Sequence, residues 1–198
     1  MNIQIVYHLH LERKNDMKYL KVIFDDKSRY NYQYKIDEVN IANNFNKDAK
    51  NPKDMGGFNF SNEENILRWL HNGNYIYDVI IPNDTTVISI KECATPGGVF
   101  RSNKIIVTNK RKVTDDMALE YYKKAKIPES AFPKALCAVS LMNYKNTALS
   151  ILKDKVNKDN IDFYIEEWND FMNKKDRNNS NDTVILINNE LRKIKELE

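Results

Sequence analysis

The sequence predicts an α+β protein in which a mostly antiparallel sheet with one inserted helix precedes a helical C-terminal region. Three observations predict this class. Up to about residue 110, short runs of β-branched and aromatic residues alternate with turn residues, as β-strands do. Within this part, Ile66, Trp69 and Leu70 share one helical face. After Asn109, apolar residues recur every three or four positions, which is typical of amphipathic helices.

Composition narrows the class of protein further. The chain has 198 residues, a formal net charge of +3, and is 41% hydrophobic and 11% aromatic. This suits one domain, or one domain with an appendage, around a packed core. The charge is too small to indicate nucleic-acid binding by itself. Because no window approaches the roughly 18 apolar residues of a membrane helix and the start of the chain does not resemble a signal peptide, we predict a cytoplasmic protein with reduced cysteines and no membrane contact.

Most of the predicted strands lie in the N-terminal half. The clearest alternation is in residues 30–36, where one face carries Tyr30, Tyr32, Tyr34 and Ile36. This strand is expected to follow a turn at 25–28 and to continue to Val39 or Ile41. A long polar loop without an apolar period follows at 43–57. Further strands are predicted at 3–9, 17–24, 75–81, 85–91 and 103–108, with a second loop at 92–99.

The segment 61–71 carries the strongest local helix signal. Ser61 followed by Glu64 fits a capping box, and Gly73 is placed to end the helix. The pairs Gly56-Gly57 and Gly97-Gly98 fit no phosphate-binding loop motif. They predict turns with positive φ.

The C-terminal half is predicted to be helical. Thr114 is expected to cap its first helix, and Pro133 is tolerated in the first turn of the second. The helices are predicted at 114–125, 131–142, 145–156, 159–172 and 182–197. The chain then divides into a β-rich domain (1–110), a helical region packed on it (111–172), a polar linker (173–182) and an amphipathic terminal helix (183–198).

The terminal helix has a heptad-like apolar stripe formed by Val184, Ile187, Leu191 and Ile194. Such a stripe fits self-association with a second copy or pairing with a partner helix. It equally fits folding back on its own chain, because the polar linker is long enough for each arrangement.

Few residues form a pattern typical of catalysis or metal binding. His8 and His10 share a face of the first predicted strand, but no third ligand stands at a suitable spacing, so we predict no metal site. Cys93 lies in a predicted loop, and His71 is the histidine that could act as its base. Cys137 lies among apolar helix residues and is predicted to belong to the core.

A basic run in the late strand and its exit is the main charged feature. Its members are Arg101, Lys104, Lys110, Arg111 and Lys112. Together with aromatic residues elsewhere, such a run can bind a single-stranded nucleic acid. It is also typical of a solvated face of a strand.

Three segments carry a resemblance to known proteins. They are GGFNFSNEENILRWL (56–70), YIYDVIIPNDTTVISI (75–90) and VFRSNKIIVTN (99–109). These segments resemble a pattern found in small uncharacterised bacterial and phage proteins. The resemblance covers about residues 28–170 and implies no particular activity.

The order of elements also remotely resembles the ADP-ribosyltransferase fold. This resemblance implies that Phe58, Phe60 and Ser61 form the family's second motif, which lies beside an NAD pocket. His8 would occupy the position of the family's first motif. In that fold a late strand carries the catalytic glutamate. Here residues 101–104 (RSNK) occupy that region, and Glu92 precedes it. The resemblance therefore implies the layout of the fold and argues against its transfer chemistry.

We therefore predict a non-enzymatic cytosolic binding protein without a cofactor. Its partner would be a protein, as for a phage or mobile-element protein that modulates a host defence protein. The candidate binding residues are Phe58, Phe60, Ser61, Arg101, Lys104, Lys110, Arg111 and Lys112. One alternative is an NAD-using enzyme in which His8 or Tyr34 contacts the nucleotide and Glu92 is the catalytic acid. The second alternative is a single-stranded nucleic-acid binder that uses the basic run.

Overall fold

The structure is a computed structural model that describes four stretches of the chain: residues 18–27, 32–92, 95–174 and 181–196. For the described residues between 91 and 97 it gives the backbone alone. The described part contains an antiparallel sheet and helices that lie mostly in the C-terminal half, which confirms the α+β class. None of the described helices is long and apolar enough to cross a membrane. The strand predicted at 3–9, with His8 and His10, lies outside the described residues, as does Cys93.

The chain divides into two compact units. The first takes in the described residues up to Ile66 together with Asn72–Lys112 and contains the sheet. The second takes in Leu67–His71 and the described residues from Val113 onwards, and it contains the α-helices.

Seven described strands form one sheet in which every neighbouring pair is antiparallel. They are β1 (Tyr19–Ile23), β2 (Val39–Ile41), β3 (Phe58–Asn62), β4 (Tyr75–Ile80), β5 (Val87–Glu92), β6 (Thr95–Ser102) and β7 (Lys104–Lys112). Their spatial order is β2-β7-β4-β1-β3-β6-β5. Because this order departs from the order along the chain, β2 lies at one edge of the sheet and β1 at its centre.

One face of the sheet carries an aromatic core. The ring of Tyr19 in β1 lies 5.3 Å from that of Phe60 in β3 and 5.2 Å from that of Phe100 in β6, both edge-on. Phe60 and Phe100 stack at 5.5 Å. Such pairs add to the stabilisation from burial, so the three strands are held by their side chains as well as by their ladders. The same cluster contains Ile23, Tyr34, Phe58, Tyr77, Val79, Ile105 and Val107.

The helical unit is built around one central helix. Its α-helices are α1 (Asp115–Lys124), α2 (Phe132–Leu141), α3 (Lys145–Lys155), α4 (Ile161–Met172) and α5 (Asp182–Glu196). Most residues of α2 are buried, including consecutive residues from Ala135 to Ser140, and this helix contacts α3, α4 and α5. A stretch that is buried on every side must be largely apolar, as residues 135–140 (ALCAVS) are, and the hydroxyl of Ser140 within it donates to Leu136 O.

Polar side chains cap the starts of α1 and α3. Thr114 Oγ1 accepts a hydrogen bond from the Met117 N–H at 3.2 Å, which confirms the predicted cap of α1. Asp115 accepts from the main-chain N–H groups of Asn146 (2.7 Å) and Thr147 (3.0 Å) at the start of α3. A carboxylate at a helix N-terminus satisfies N–H groups that have no partner within the helix. Asp115 therefore joins α1 to α3.

The segment around Ser61 differs from the prediction. Ser61 belongs to β3, and its hydroxyl donates to Gly98 O. The capping-box prediction is therefore wrong, because sheet pairing uses this residue, and the helix that follows is a 3-10 helix at Ile66–Asn72 without a side-chain cap. Gly73 does end it, but in extended conformation (φ 170°). A Cβ there would lie 2.1 Å from the carbonyl carbon of Ile23, so close packing requires the glycine.

The strand predicted over 30–36 is also wrong in its described part. Residues 32–36 form only isolated bridges, at Gln33 and Ile36. The side chain of Asn40 binds this segment instead, since its Oδ1 accepts from Lys35 N–H and its Nδ2 donates to Lys35 O, both at 2.8 Å. Tyr34 is nevertheless buried. The tyrosine alternation thus indicated burial and not a β-ladder.

The loop predicted at 92–99 is wrong because β6 already begins at Thr95. Gly98 lies within this strand, where a Cβ would come 2.9 Å from Asn65 Oδ1. Gly56 and Gly57 do have the predicted positive φ, at 63° and 72°. They close the base of the polar loop at 43–57, where the Gly57 N–H donates to Asn44 O at 2.8 Å.

Candidate functional site

The aromatic motif predicted to bind a ligand belongs to the core of the sheet unit. Phe58 and Phe60 are each 5% exposed, and Ser61 is 2% exposed. The alternation of β3 turns both phenylalanines to the same face of the sheet. There Phe60 packs against Tyr19 and Phe100, and Phe58 packs against Tyr32 and Tyr34. These residues are buried, so the structure shows them packing in the core, and their predicted role in binding stays a prediction.

The predicted basic run is divided among separate partners. Arg101 in β6 donates through Nη1 to Gly56 O at 2.8 Å. Three residues of β7 pair with aspartates: Lys104 with Asp84, Lys110 with Asp25 and Asp26, and Arg111 with Asp78. Lys112 is exposed at the end of the strand. Because aspartates accompany three of its five cations, the run does not form a strip of uncompensated positive charge.

Asp26 links one of these pairs to the core. Lys110 Nζ lies 2.8 Å from its Oδ1, and Tyr77 Oη also donates to that oxygen. These two hydrogen bonds lower the pKa of Asp26, while burial and the bond to Asp26 raise the pKa of Tyr77. Asp25 and Asp26 have φ of 39° and 62° in a turn closed by the Lys27 N–H and Phe24 O at 2.9 Å. The cluster holds the predicted turn against β7.

Lys21 is a buried amine that the sequence analysis missed. The residue is 4% exposed at the middle of β1, and its Nζ donates to the main-chain O and, at 2.8 Å, to Oδ1 of Asn59. The Tyr34 ring centroid is 5.3 Å away. Burial lowers the pKa of Lys21 to about 7, and the charge of Arg101 adds to this effect. The available signal was a lysine at the centre of an otherwise apolar strand (YLKVI).

The candidate catalytic residues do not form a described site. Tyr34 is 4% exposed beside Phe58, and burial raises its pKa. The backbone of Glu92 belongs to β5, but its side chain lies outside the described part, as does the whole of His8. His71 lies in the helical unit, with its ring 5.2 Å from that of Phe171. Cys137 is buried, as predicted. Among the described residues, no three His, Cys, Asp or Glu side chains are grouped to hold a metal ion.

The predicted terminal stripe lies inside the helical unit. Val184, Ile187 and Leu191 are 4%, 0% and 1% exposed, and Ile194 is half-buried. Helix α5 contacts α2, α3 and α4. Of the two arrangements that the sequence left open, the chain adopts the one in which the stripe packs on the same chain.

An exposed apolar surface lies instead at the β2 edge of the sheet. In register, Val39 of β2 faces Ile106 of β7, which in turn faces Ile80 of β4. Val39, Ile41 and Ile80 are 46%, 58% and 52% exposed, and Ile106 is half-buried. We call these four residues the sheet-edge patch. Three of the six large hydrophobic residues that are exposed in the described part belong to it, so the exposure is concentrated rather than scattered.

An ion pair and a side-chain hydrogen bond border the sheet-edge patch. Lys104, the register partner of Ile41, pairs with Asp84. At the opposite end, Thr108 Oγ1 donates to Asp37. An apolar centre with a polar rim is the usual composition of a protein-binding surface. The sequence indicated the strand position of Val39 and Ile41 but not their exposure.

No protein-family model matches this chain, and neither a curated protein nor a solved structure matches it significantly. The two resemblances drawn from the sequence therefore remain predictions.

Proposed function

We propose that this chain is a cytoplasmic, non-enzymatic protein-binding module that docks a partner protein on the sheet-edge patch. The observation that carries the proposal is the continuous row Val39–Ile106–Ile80 across three strands, with Ile41 beside it. Exposed aliphatic side chains gain free energy when a partner removes them from water, at about 25 cal/mol per Å² of apolar area. The finer proposal, that the partner is a host defence protein bound by a phage or mobile-element protein, is supported by the resemblance of the three central segments alone.

The rigidity of the surface supports this function. β7 is a long strand held on both sides, by β2 and by β4, so Ile106 and Ile80 are fixed by the ladder. Asn40, between Val39 and Ile41, is 1% exposed and tied to Lys35 by two hydrogen bonds. A surface that is already ordered loses little conformational entropy on binding.

The test identifies the proteins that the chain captures from a lysate of the cells that make it. It then asks whether their capture depends on the sheet-edge patch. The tagged chain would be compared with the double variant Ile41→Lys/Ile80→Lys and with the control Phe163→Lys/Ile185→Lys. The control places the same charges on exposed apolar residues outside the patch (40% and 50% exposed). We expect a protein that the wild type and the control capture and that the patch variant loses by about tenfold or more. Equal capture by all three folded proteins, or capture of nothing by the wild type, contradicts the proposal.

A further inference from the structure

We infer that the partner binds by adding an extended strand to β2. The inferred segment has aliphatic residues at alternate positions and a basic residue at the end that faces Glu38. This inference rests on the proposed function, because it assigns the partner of the same patch. It follows from the main-chain groups of β2 that point away from β7, from the hydrogen bonds by which Asn40 holds β2 in place, and from the acidic residues that precede β2.

No described strand pairs with the side of β2 that faces away from β7. Among the described strands, β2 is the last in the sheet order, with β7 as its neighbour. The Ala42 N–H donates to Asn103 O at 2.9 Å, which makes Ala42 and Asn103 a hydrogen-bonded pair. Since such pairs alternate along an antiparallel ladder, Asn40 is also bonded to β7, and the N–H and C=O groups of Val39 and Ile41 point away from it.

One described hydrogen bond involves a main-chain group of β2 that points away from β7. Tyr32 Oη donates to Ile41 O at 3.4 Å. Hydrogen bonds between oxygen atoms are typically about 2.7–2.8 Å long, so this contact is weak and replaceable. An incoming strand would offer the same carbonyl a main-chain N–H group in better geometry.

The edge is held in strand conformation before a partner arrives. Asn40 Nδ2 donates to Lys35 O (2.8 Å) and Glu38 O (3.0 Å), while its Oδ1 accepts from the Lys35 N–H. These bonds fix the residues on both sides of Val39. Strand addition to a preformed edge is a recurring mode of peptide recognition, in which main-chain bonds supply affinity and side-chain contacts supply specificity.

Charge determines the chemistry of the inferred segment. Residues 39–44 (VNIANN) carry no charge, whereas Asp37 and Glu38 come directly before them. The side chain of Glu38 is 67% exposed, and its contact with Lys35 is long, at 3.8 Å. A partner strand is therefore complementary when it is uncharged opposite Val39 and Ile41 and basic opposite Glu38.

The experiment uses the ¹⁵N-labelled full chain and the synthetic peptide acetyl-Thr-Val-Thr-Val-Lys-Thr-amide. In an antiparallel pairing with β2 its valines lie opposite Ile41 and Val39, and its lysine lies opposite Glu38. We expect peptide-dependent shifts centred on the Val39 and Ile41 amides and slower hydrogen exchange of both N–H groups. Replacing the peptide's lysine by glutamate should weaken binding about tenfold. Absence of shifts in β2 at millimolar peptide, or equal binding of the two peptides, overturns the inference.

A proline variant separates backbone addition from side-chain docking. Ile41→Pro removes an N–H that points away from β7, a position where an edge strand tolerates proline, whereas Ile41→Ala shortens the side chain and keeps the N–H. We expect the proline variant to bind the peptide about tenfold more weakly than the alanine variant. Equal binding by the two overturns strand addition.

If Ile41→Pro retains the cellular partner while Ile41→Lys/Ile80→Lys loses it, strand addition fails and the proposed function stands. If both retain the partner, the proposed function fails as well.

Discussion

Lys21 and Asn59 join β1 to β3 beyond the point where the ladder between these strands ends. The last paired residues of that ladder are Leu20 and Ser61. The Lys21 amine then donates to the main-chain O and the side-chain Oδ1 of Asn59. Both acceptors are uncharged, and among the described residues no carboxylate pairs with this amine. A side-chain amine thus takes the place of a main-chain donor, at a position where its positive charge is poorly solvated.

The substitution Lys21→Met should change how stability depends on pH. Burial lowers the pKa of Lys21 from 10.5 to about 7 in the folded chain. Between these values the unfolded chain binds one more proton than the folded chain, so raising the pH stabilises the fold by up to about 1.4 kcal/mol per unit. Below about pH 7 both states are protonated and this dependence disappears. Urea unfolding between about pH 7.5 and 9.5 should show a steeper rise for the wild type than for the variant.

The control for that measurement is Lys27→Met, which removes an exposed lysine from the turn after β1. Its unfolding free energy should follow the wild-type pH dependence. Parallel curves for the wild type and Lys21→Met would show that the buried amine does not titrate in this range, contrary to the prediction.

The substitution Gly73→Ala should destabilise the sheet unit by about 2 kcal/mol or more, because the new Cβ would lie 2.1 Å from the Ile23 carbonyl and the backbone cannot yield locally. Gly98→Ala is the comparison. Its Cβ would meet the side chain of Asn65 at 2.9 Å, and a side chain can move more readily than a backbone carbonyl. Chemical denaturation should therefore rank Gly73→Ala as clearly the more damaging. Similar losses for the two variants would contradict the packing explanation for Gly73.

The substitution Thr114→Ala should cost about 1 kcal/mol, because Thr114 Oγ1 accepts the Met117 N–H at the start of α1. Thr114→Ser keeps the hydroxyl and should retain most of that stability. Urea unfolding followed by circular dichroism measures both. If the serine variant lost as much stability as the alanine variant, the threonine methyl group rather than the cap would be responsible.

The helices were predictable because neighbours in sequence determine them. Thr114 and the spacing of apolar residues located α1, and the predicted bounds of α2 (131–142) differ by one residue at each end from those observed (Phe132–Leu141). Ser61 shows where local reasoning failed. Its capping-box pattern is genuine, but β3 pairs with β1 and β6, and those distant partners place it in a strand. Tertiary pairing overrides a local signal of about 1 kcal/mol.

The candidate site was less predictable because it depends on strand order. Val39 and Ile41 have the alternation of any half-buried strand, and only the pairing of β2 with the distant β7 places them at an edge. Lys21 was overlooked for a related reason, since a lysine in a strand is expected to face solvent. Its burial follows from the central position of β1, which the order of strands along the chain does not indicate.

The substitution Ile187→Ala tests whether α5 packs within its own chain in solution. Ile187 is fully buried, so the cavity should cost about 2–5 kcal/mol, while Ile185→Ala on the exposed face (50% exposed) should cost less than about 0.5 kcal/mol. If the stripe packs on its own chain, the substitution lowers the free energy of unfolding by the same amount at every protein concentration. A stripe paired between two copies would make the unfolding midpoint rise with concentration in the wild type and less so in the variant. Urea unfolding at two concentrations about a hundredfold apart distinguishes the two arrangements, and we expect the midpoint of each protein to stay constant.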